Sequence, residues 1–243
     1  MKHCIVGDIH GEYEALLNLI EKTPYESNFI FVGDLVDRGT QSAHVVRFVR
    51  ERGYSVVQGN HEEMMIEYGT QFINSVESDR RVEKSNLWLD NGGLETLLSY
   101  GLIHMLDEYD FVTHPYIKEF IFQFKEDIEW MKNLPLYLEL DEIPHSSKNS
   151  VIVSHSSIEP VWHLRNSEKD NFFRETVLWN RNKPEGKIDI FNVFGHTPQK
   201  YTANIDDYHA CIDTGCYMKQ KKGYGLLSAY CVETGELFSS SHI

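Results

Sequence analysis

The sequence predicts an α/β layered fold with parallel neighbouring strands, and three observations predict it. Within the first sixty residues one pattern recurs: a short β-branched and aromatic run, then glycine, then an acidic or amide residue, then a helix-like segment. Strand-like runs return after residue 150. Of the 243 residues, 41% are apolar and 25% charged, an ordinary balance for a packed globular chain.

The elements follow in order. Apolar runs at 3–6, 29–32 and 54–57 read as strands, and 12–21 and 41–52 read as the helices between them. In the second helix Ala43, Val46, Val49 and Arg50 recur at helical spacing, as a face packed on a sheet requires. The middle, about 62–148, reads as mostly helical. Ile117, Phe120, Ile121, Phe124, Ile128 and Met131 trace one amphipathic stripe, a core-packing pattern. Asn91-Gly92-Gly93 separates one helix from the next, and Pro135 closes the long one. Strands resume at 151–153, 189–194, 209–212 and 224–232, and Glu233-Thr234-Gly235-Glu236 turns the chain back into Leu237-Phe238. No repeat, low-complexity tract or linker interrupts this order. The expected organisation is one domain, 1–243, with a mainly helical insertion at about 62–148.

Charge and composition exclude several classes of function. Asp and Glu number 37 against 23 Lys and Arg, a net charge of -14, which opposes non-specific nucleic-acid binding. No apolar run is long enough to span a bilayer, and the start turns polar too early for a signal peptide, so a cytoplasmic protein with no membrane partner is expected. Cys4, Cys211, Cys216 and Cys231 form no C-x-x-C pair and are read as free thiols, in keeping with a cytoplasmic location. Three sit in strand-like apolar runs as small hydrophobes, and Cys216 lies on a loop where it could react but has no activating base beside it.

Five short segments carry the chemistry: Gly7-Asp8-Ile9-His10-Gly11, Gly33-Asp34-Leu35-Val36-Asp37-Arg38-Gly39, Gly59-Asn60-His61-Glu62, Val153-Ser154-His155 and Phe194-Gly195-His196-Thr197. In open α/β sheets, sites gather on loops at the carboxyl ends of strands, which is where these segments fall. Asp8, His10, Asp34, Asn60, His155 and His196 form a mixed nitrogen and oxygen set suited to divalent Mn, Fe or Zn. Six ligands exceed what one four-coordinate ion needs, and a carboxylate such as Asp34 can bridge two ions. A two-metal site generates a hydroxide at neutral pH and clamps a phosphoryl centre for in-line attack. His61, held protonated by Asp37, suits a general acid for the leaving oxygen. Arg38 offers a planar fork for phosphate. The remaining histidines (His3, His44, His104, His114, His145, His163, His209 and His242) are read as surface or satisfied core residues.

In this order the motifs resemble those of the phosphoprotein phosphatases, the metal-dependent serine/threonine phosphatases of the metallophosphoesterase superfamily. The resemblance is nearest to the bacterial and phage branch typified by the bacteriophage lambda protein phosphatase. Trp88-Leu89-Asp90-Asn91-Gly92-Gly93, Leu134-Pro135-Leu136, Val177-Leu178-Trp179-Asn180-Arg181 and Ile212-Asp213-Thr214-Gly215 match as well, so the likeness runs from about residue 6 to 215. It implies a two-sheet β-sandwich flanked by helices, the calcineurin-like α/β/β/α fold. It implies that Asp8 and His10 bind a first metal, that Asp34 bridges, and that Asn60, His155 and His196 complete a second. It adds Arg181 as a second substrate-binding arginine beside Arg38, with His61 and Asp37 as the acid pair and manganese as the expected metal. The implied activity is hydrolysis of phosphoserine or phosphothreonine in proteins, or of a small phosphoester. Two departures stand out. Gln58 replaces the arginine that many members carry before Gly-Asn-His-Glu, and Ser156-Ser157-Ile158 follows His155. Diadenosine polyphosphate hydrolases of the same superfamily also lack that arginine, which makes nucleotide hydrolysis the alternative.

Overall fold

The structure is a computed structural model that describes residues 2–23, 27–107, 110–140, 150–166 and 170–242. His145 and the expected end of the insertion at about 148 lie outside the described residues.

The chain begins with the predicted alternation: β1 (Lys2–Val6), α1 (Tyr13–Lys22), β2 (Ser27–Phe31), α2 (Ser42–Glu51) and β3 (Ser55–Val56). A helical stretch follows, α3 (Asn60–Met64), a π-helical turn at Met65–Gly69 and α4 (Thr70–Glu77). Next come α5 (Gly93–Ser99), the hairpin β4 (Ile103–Met105) and β5 (Phe111–Thr113), α6 (Ile117–Met131) and β6 (Tyr137–Leu140). The remainder is β7 (Ser150–Ser154), α7 (Asn171–Trp179), β8 (Ile190–Phe194), β9 (Asn204–Ile205), β10 (His209–Cys211), β11 (Ser228–Cys231) and β12 (Glu236–Ser239). Among the described residues, no helix is long and apolar enough to cross a membrane.

Two five-stranded sheets form, ordered β12-β11-β1-β2-β3 and β6-β7-β8-β10-β9. In the first, β1, β2 and β3 run parallel; in the second, β7, β8 and β10 do. The period of two along each strand assigns side chains to layers. Ile5, Ile30 and Val32 join Val151, Val153, Phe191 and Val193 in the core between the sheets. Their neighbours Cys4, Val6, Phe29 and Phe31 instead pack with Leu16, Leu19, Val45 and Val49 of the first two helices. On the far side, Ile152 and Ile190 meet Phe173, Val177 and Leu178 of α7. The result is the α/β/β/α sandwich.

Three sequence readings change. The span read as helical also holds the β4–β5 hairpin and β6, which pairs antiparallel with β7 at the edge of the second sheet. Short strands whose faces differ little in polarity carry no clear period, so sequence pattern does not separate them from loops. Phe120 of the predicted stripe is 49% exposed, at the rim of a face whose other five members are buried. Cys4 and Cys231 are not free: they sit opposite each other in the antiparallel β1–β11 pair, with Cα atoms 4.1 Å apart, and form a disulfide. Register brought together what 227 residues of sequence separate, and the pairing removes the free-thiol support for a cytoplasmic location. Cys211 and Cys216 remain free and buried, and burial pushes both thiols up.

Candidate active site

Parallel strands of both sheets deliver their carboxyl-end loops to one place. Asp8 and His10 follow β1; Asp34, Asp37 and Arg38 follow β2; Asn60 and His61 open α3 after β3; His155 and His196 follow β7 and β8. The backbone is bent hard there. His10, Asp34, Asp37, Arg38 and His196, five of the ten predicted site residues, have φ between 50° and 71°. Such left-handed non-glycine residues cost energy and persist only where the surroundings over-determine them. Gly33, at φ 89°, lets the turn after β2 press on the next loop: a Cβ there would lie 2.5 Å from Gly59 N. Gly195 likewise leaves room for the Asp8 carboxylate.

Glu62 ties these loops together. Its Oε2 accepts from Asp34 N at 2.8 Å and Gly59 N at 2.9 Å, and its Oε1 accepts from Leu35 N at 2.8 Å. Burial, then the neighbouring Asp34 charge, pushes its carboxyl up to about 7.

The imidazoles are aimed by the carbonyls behind them. His155 Nδ1 lies 2.8 Å from Val32 O and His10 Nδ1 lies 3.0 Å from Val36 O. A carbonyl only accepts, so both Nδ1 atoms donate and both Nε2 atoms present lone pairs inward. His155 Nε2 is 2.8 Å from Asn60 Oδ1 and 3.0 Å from His196 Nδ1, which is 2.9 Å from the same Asn60 oxygen. Asn60 Oδ1 and His155 Nε2 present lone pairs, and His196 Nδ1 adds a third when its hydrogen sits on Nε2, which is buried without a hydrogen-bond partner. Asp34 stands between two clusters, with Oδ1 3.4 Å from His155 Nε2 and Oδ2 3.4 Å from His10 Nε2. The groups His10–Asp34–His61 and Asp34–His155–His196 each bring their ligand atoms within 4.8 Å of one another. Asp8 lies beside them, accepting from His196 N at 3.0 Å.

Electrostatics makes the same demand. Burial first, then Asp213 and Asp34, raises Asp8 well above the usual carboxylate range. Burial lowers His10 and His155, and pushes His196 down to about 3, so these rings stay neutral. Burial also opposes the Asp34 charge, but interaction with the imidazoles around it, His61 among them, outweighs burial and holds its carboxyl below the usual carboxylate range. Carboxylates and lone pairs aimed at one another form a donor set that suits a divalent cation, and such a cation would relieve the like-charge repulsion that helps raise Asp8 and Asp213. The residues present therefore fit the metal ions that the sequence implies.

His61 belongs to the first of these groups but is held differently from the expected ligands. Its Nδ1 is 2.7 Å from Asp37 Oδ2, and its Nε2 is 3.9 Å from Asp34 Oδ2. Burial disfavours its charge, but Asp34 and the Asp37 bond outweigh burial and raise it above the ordinary imidazole value. Asp37 is held in turn by Trp88 Nε1 at 2.9 Å and Thr96 Oγ1 at 2.7 Å. Arg38 Nη1 lies 2.9 Å from His10 Nε2, with its guanidinium 4.4 Å from the Tyr217 ring centroid. Arg181 Nη1 donates to His196 O at 3.2 Å.

Several contributors carried no predicted role. Asp213, after β10, is buried beside the cluster, and burial pushes it up to about 7. Its signal was the strand-then-acid-then-glycine order of 212–215. Thr96 and Tyr217 had no such signal. Gln58 is 2% exposed, and its side chain is used inside the protein: Nε2 donates to Met131 O at 3.4 Å and Oε1 accepts from Arg174 Nη2 at 2.6 Å. Ser156, the other departure, ties the His155 loop to the end of α7 through Oγ, which donates to Val177 O at 2.9 Å and accepts from Asn180 N at 3.2 Å.

A fold with two facing sheets and a nitrogen and oxygen cage at their shared carboxyl edge defines a metal-assisted hydrolase scaffold. The family model for calcineurin-like phosphoesterases matches residues 1–223, and the chain belongs to that family. It is 27% identical over 179 residues to the symmetrical bis(5'-nucleosyl)-tetraphosphatase of Pasteurella multocida, covering 72% of this chain and 50% of that one. It is 28% identical over 222 residues to serine/threonine-protein phosphatase 1 of Salmonella typhimurium, covering 87% and 85%. The chain thus spans about half the length of the Pasteurella relative. A metallophosphoesterase structure from Sphaerobacter thermophilus shares the fold at TM-score 0.55 and 13% identity, covering 99% of this chain and 87% of that one.

Proposed function

We propose that this protein hydrolyses dinucleoside polyphosphates, attacking a phosphorus of the bridging chain and releasing nucleoside phosphates. The observation that carries the reaction class is the convergence of Asn60 Oδ1, His155 Nε2 and His196 Nδ1 within 3.0 Å, with Asp34 between them and His10. Two divalent ions, manganese by our reading, would supply an acidified water and positive charge for the phosphoryl oxygens. Asp8 and His10 would hold one ion, Asn60, His155 and His196 the other, and Asp34 both.

The remaining steps belong to the protein. Arg38 and Arg181 bind the phosphoryl oxygens, Arg38 as a planar fork oriented over the Tyr217 ring. His61 gives its Nε2 proton to the leaving oxygen while Asp37 fixes Nδ1. Trp88 and Thr96 keep Asp37 an acceptor aimed at His61. Gln58 favours the nucleotide substrate, because the position before Gly59 brings no charge to a terminal phosphate dianion and spends its amide on Met131 and Arg174. The Pasteurella tetraphosphatase likeness supports the same substrate.

Phosphoserine or phosphothreonine hydrolysis, as in the bacterial and phage phosphatases, is the second reading. Its specific support is the Salmonella phosphatase, 85% of whose length this chain covers. A manganese-reconstituted panel of diadenosine tetraphosphate, phosphopeptides and an aryl phosphate separates the two. The first reading expects the highest kcat/KM on the tetraphosphate, and a preference for phosphopeptides overturns it.

A further inference from the structure

Beside the cage, next to His196, lies a feature that the hydrolytic chemistry does not use. Trp179 ends α7, its indole edge-on to His196 with ring centroids 6.2 Å apart, and 37% of it is exposed. The ring is fixed from behind. Trp179 Nε1 donates to Glu63 Oε2 at 3.0 Å, and Arg174 Nε donates to Glu63 Oε1 at 2.8 Å. Arg174 is itself anchored on the buried Gln58. Glu63 follows Asn60 by three residues on α3, so the clamp and the cage share one helical turn. In front of the indole is a groove of about 340 Å³ whose walls include Phe172, Glu175, Thr176 and Asn182. Phe172 is 61% exposed. Two residues beyond Trp179, Arg181 reaches the carbonyl of His196.

The geometry points to this groove as the seat of a nucleobase, stacked on Trp179, for a substrate whose phosphates lie in the cage. This rests on the dinucleoside polyphosphate reading above. The occupant must be flat and apolar on its faces to match an indole that cannot rotate away. It must also carry no negative charge there, because Glu175 lines the groove and repels a phosphate or an acidic peptide flank. A base meets both demands, and Asn182 and Thr176 offer polar groups for its edge. The substrate is then ordered along the chain itself: ring on Trp179, phosphate at Arg181, reacting phosphorus beyond His196. Glu63 and Arg174 are positioning residues for the ring.

The test compares two probes that differ by a nucleoside. Calorimetric binding of ADP and of inorganic pyrophosphate to the manganese-loaded protein should show ADP about tenfold tighter, the range of one base–aromatic stack. Trp179→Ala should remove that advantage and leave pyrophosphate affinity in place, while Trp179→Phe keeps most of it. In turnover, Trp179→Ala should raise KM for diadenosine tetraphosphate about tenfold with kcat within about twofold. Melting curves of both variants verify folding. An ADP advantage that survives Trp179→Ala overturns the assignment, as does an equal loss of ADP and pyrophosphate binding. A KM rise confined to phosphopeptides overturns it too and gives the groove to a peptide. Failure of the wild type to cleave the tetraphosphate defeats the substrate reading alone, since the binding comparison still decides the groove.

Discussion

Asp37 Oδ2 and His61 Nδ1 lie 2.7 Å apart, both residues buried, with Trp88 and Thr96 donating to the same carboxylate. The carboxylate has three donors and no route to solvent, so it favours the protonated imidazole and fixes its ring plane. His61 Nε2 is left to face the Asp34 cluster at 3.9 Å.

His61→Asn should therefore keep bound metal and lower kcat on an alkyl phosphate by about 10²–10⁴-fold, the ordinary range for a general acid. The loss should be smaller on a polyphosphate, whose leaving group needs a proton less. Steady-state kinetics on both substrates, with metal content measured in parallel, checks this. Equal losses on both substrates would mean that His61 acts otherwise than as an acid.

Glu62 accepts three backbone N–H bonds from the two loops that carry Asp34 and Asn60. Glu62→Gln replaces one accepting oxygen with an N–H₂ that faces other donors, at a cost of about 1–3 kcal/mol. Metal affinity should fall about 10–100-fold through the displaced Asp34, as when outer supports of a ligand are removed. A thermal melt and a manganese titration read the two effects separately.

Gln58→Arg tests where that side chain points. The site is buried and already faces Arg174, so a second guanidinium would meet a like charge and leave Arg174 Nη2 without its acceptor. The variant should melt earlier, by about 1–3 kcal/mol of lost stability, and phosphate inhibition should not tighten. A clearly lower inhibition constant for phosphate or vanadate would show that position 58 reaches the pocket.

Much of the site was legible in the sequence because its chemistry is dense and local. Glycine followed by an acid, amide or imidazole at a strand end marks a sharp turn that presents a ligand, and Asp8, His10, Asp34, Asn60 and His196 come from such turns, while His155 follows β7 without a glycine. Strand runs such as 3–6 and 29–32 were legible because one face meets helices and the other meets a second sheet, so both faces are apolar. What long-range packing decides was not legible. Thr96 reaches Asp37 from 59 residues away, Arg174 reaches Gln58 from 116, and Cys4 meets Cys231 across 227. Each pairing depends on a register or helix position that the sequence pattern alone does not give.

The most direct measurement is metal stoichiometry. Equilibrium dialysis against manganese, followed by elemental analysis, should give two ions per chain in the wild type. Asp34→Asn, which alters the carboxylate standing between both clusters, should lose both ions and all turnover. Phosphoester cleavage that survives complete chelation, or an Asp34→Asn protein that still holds two ions and turns over normally, would contradict the account.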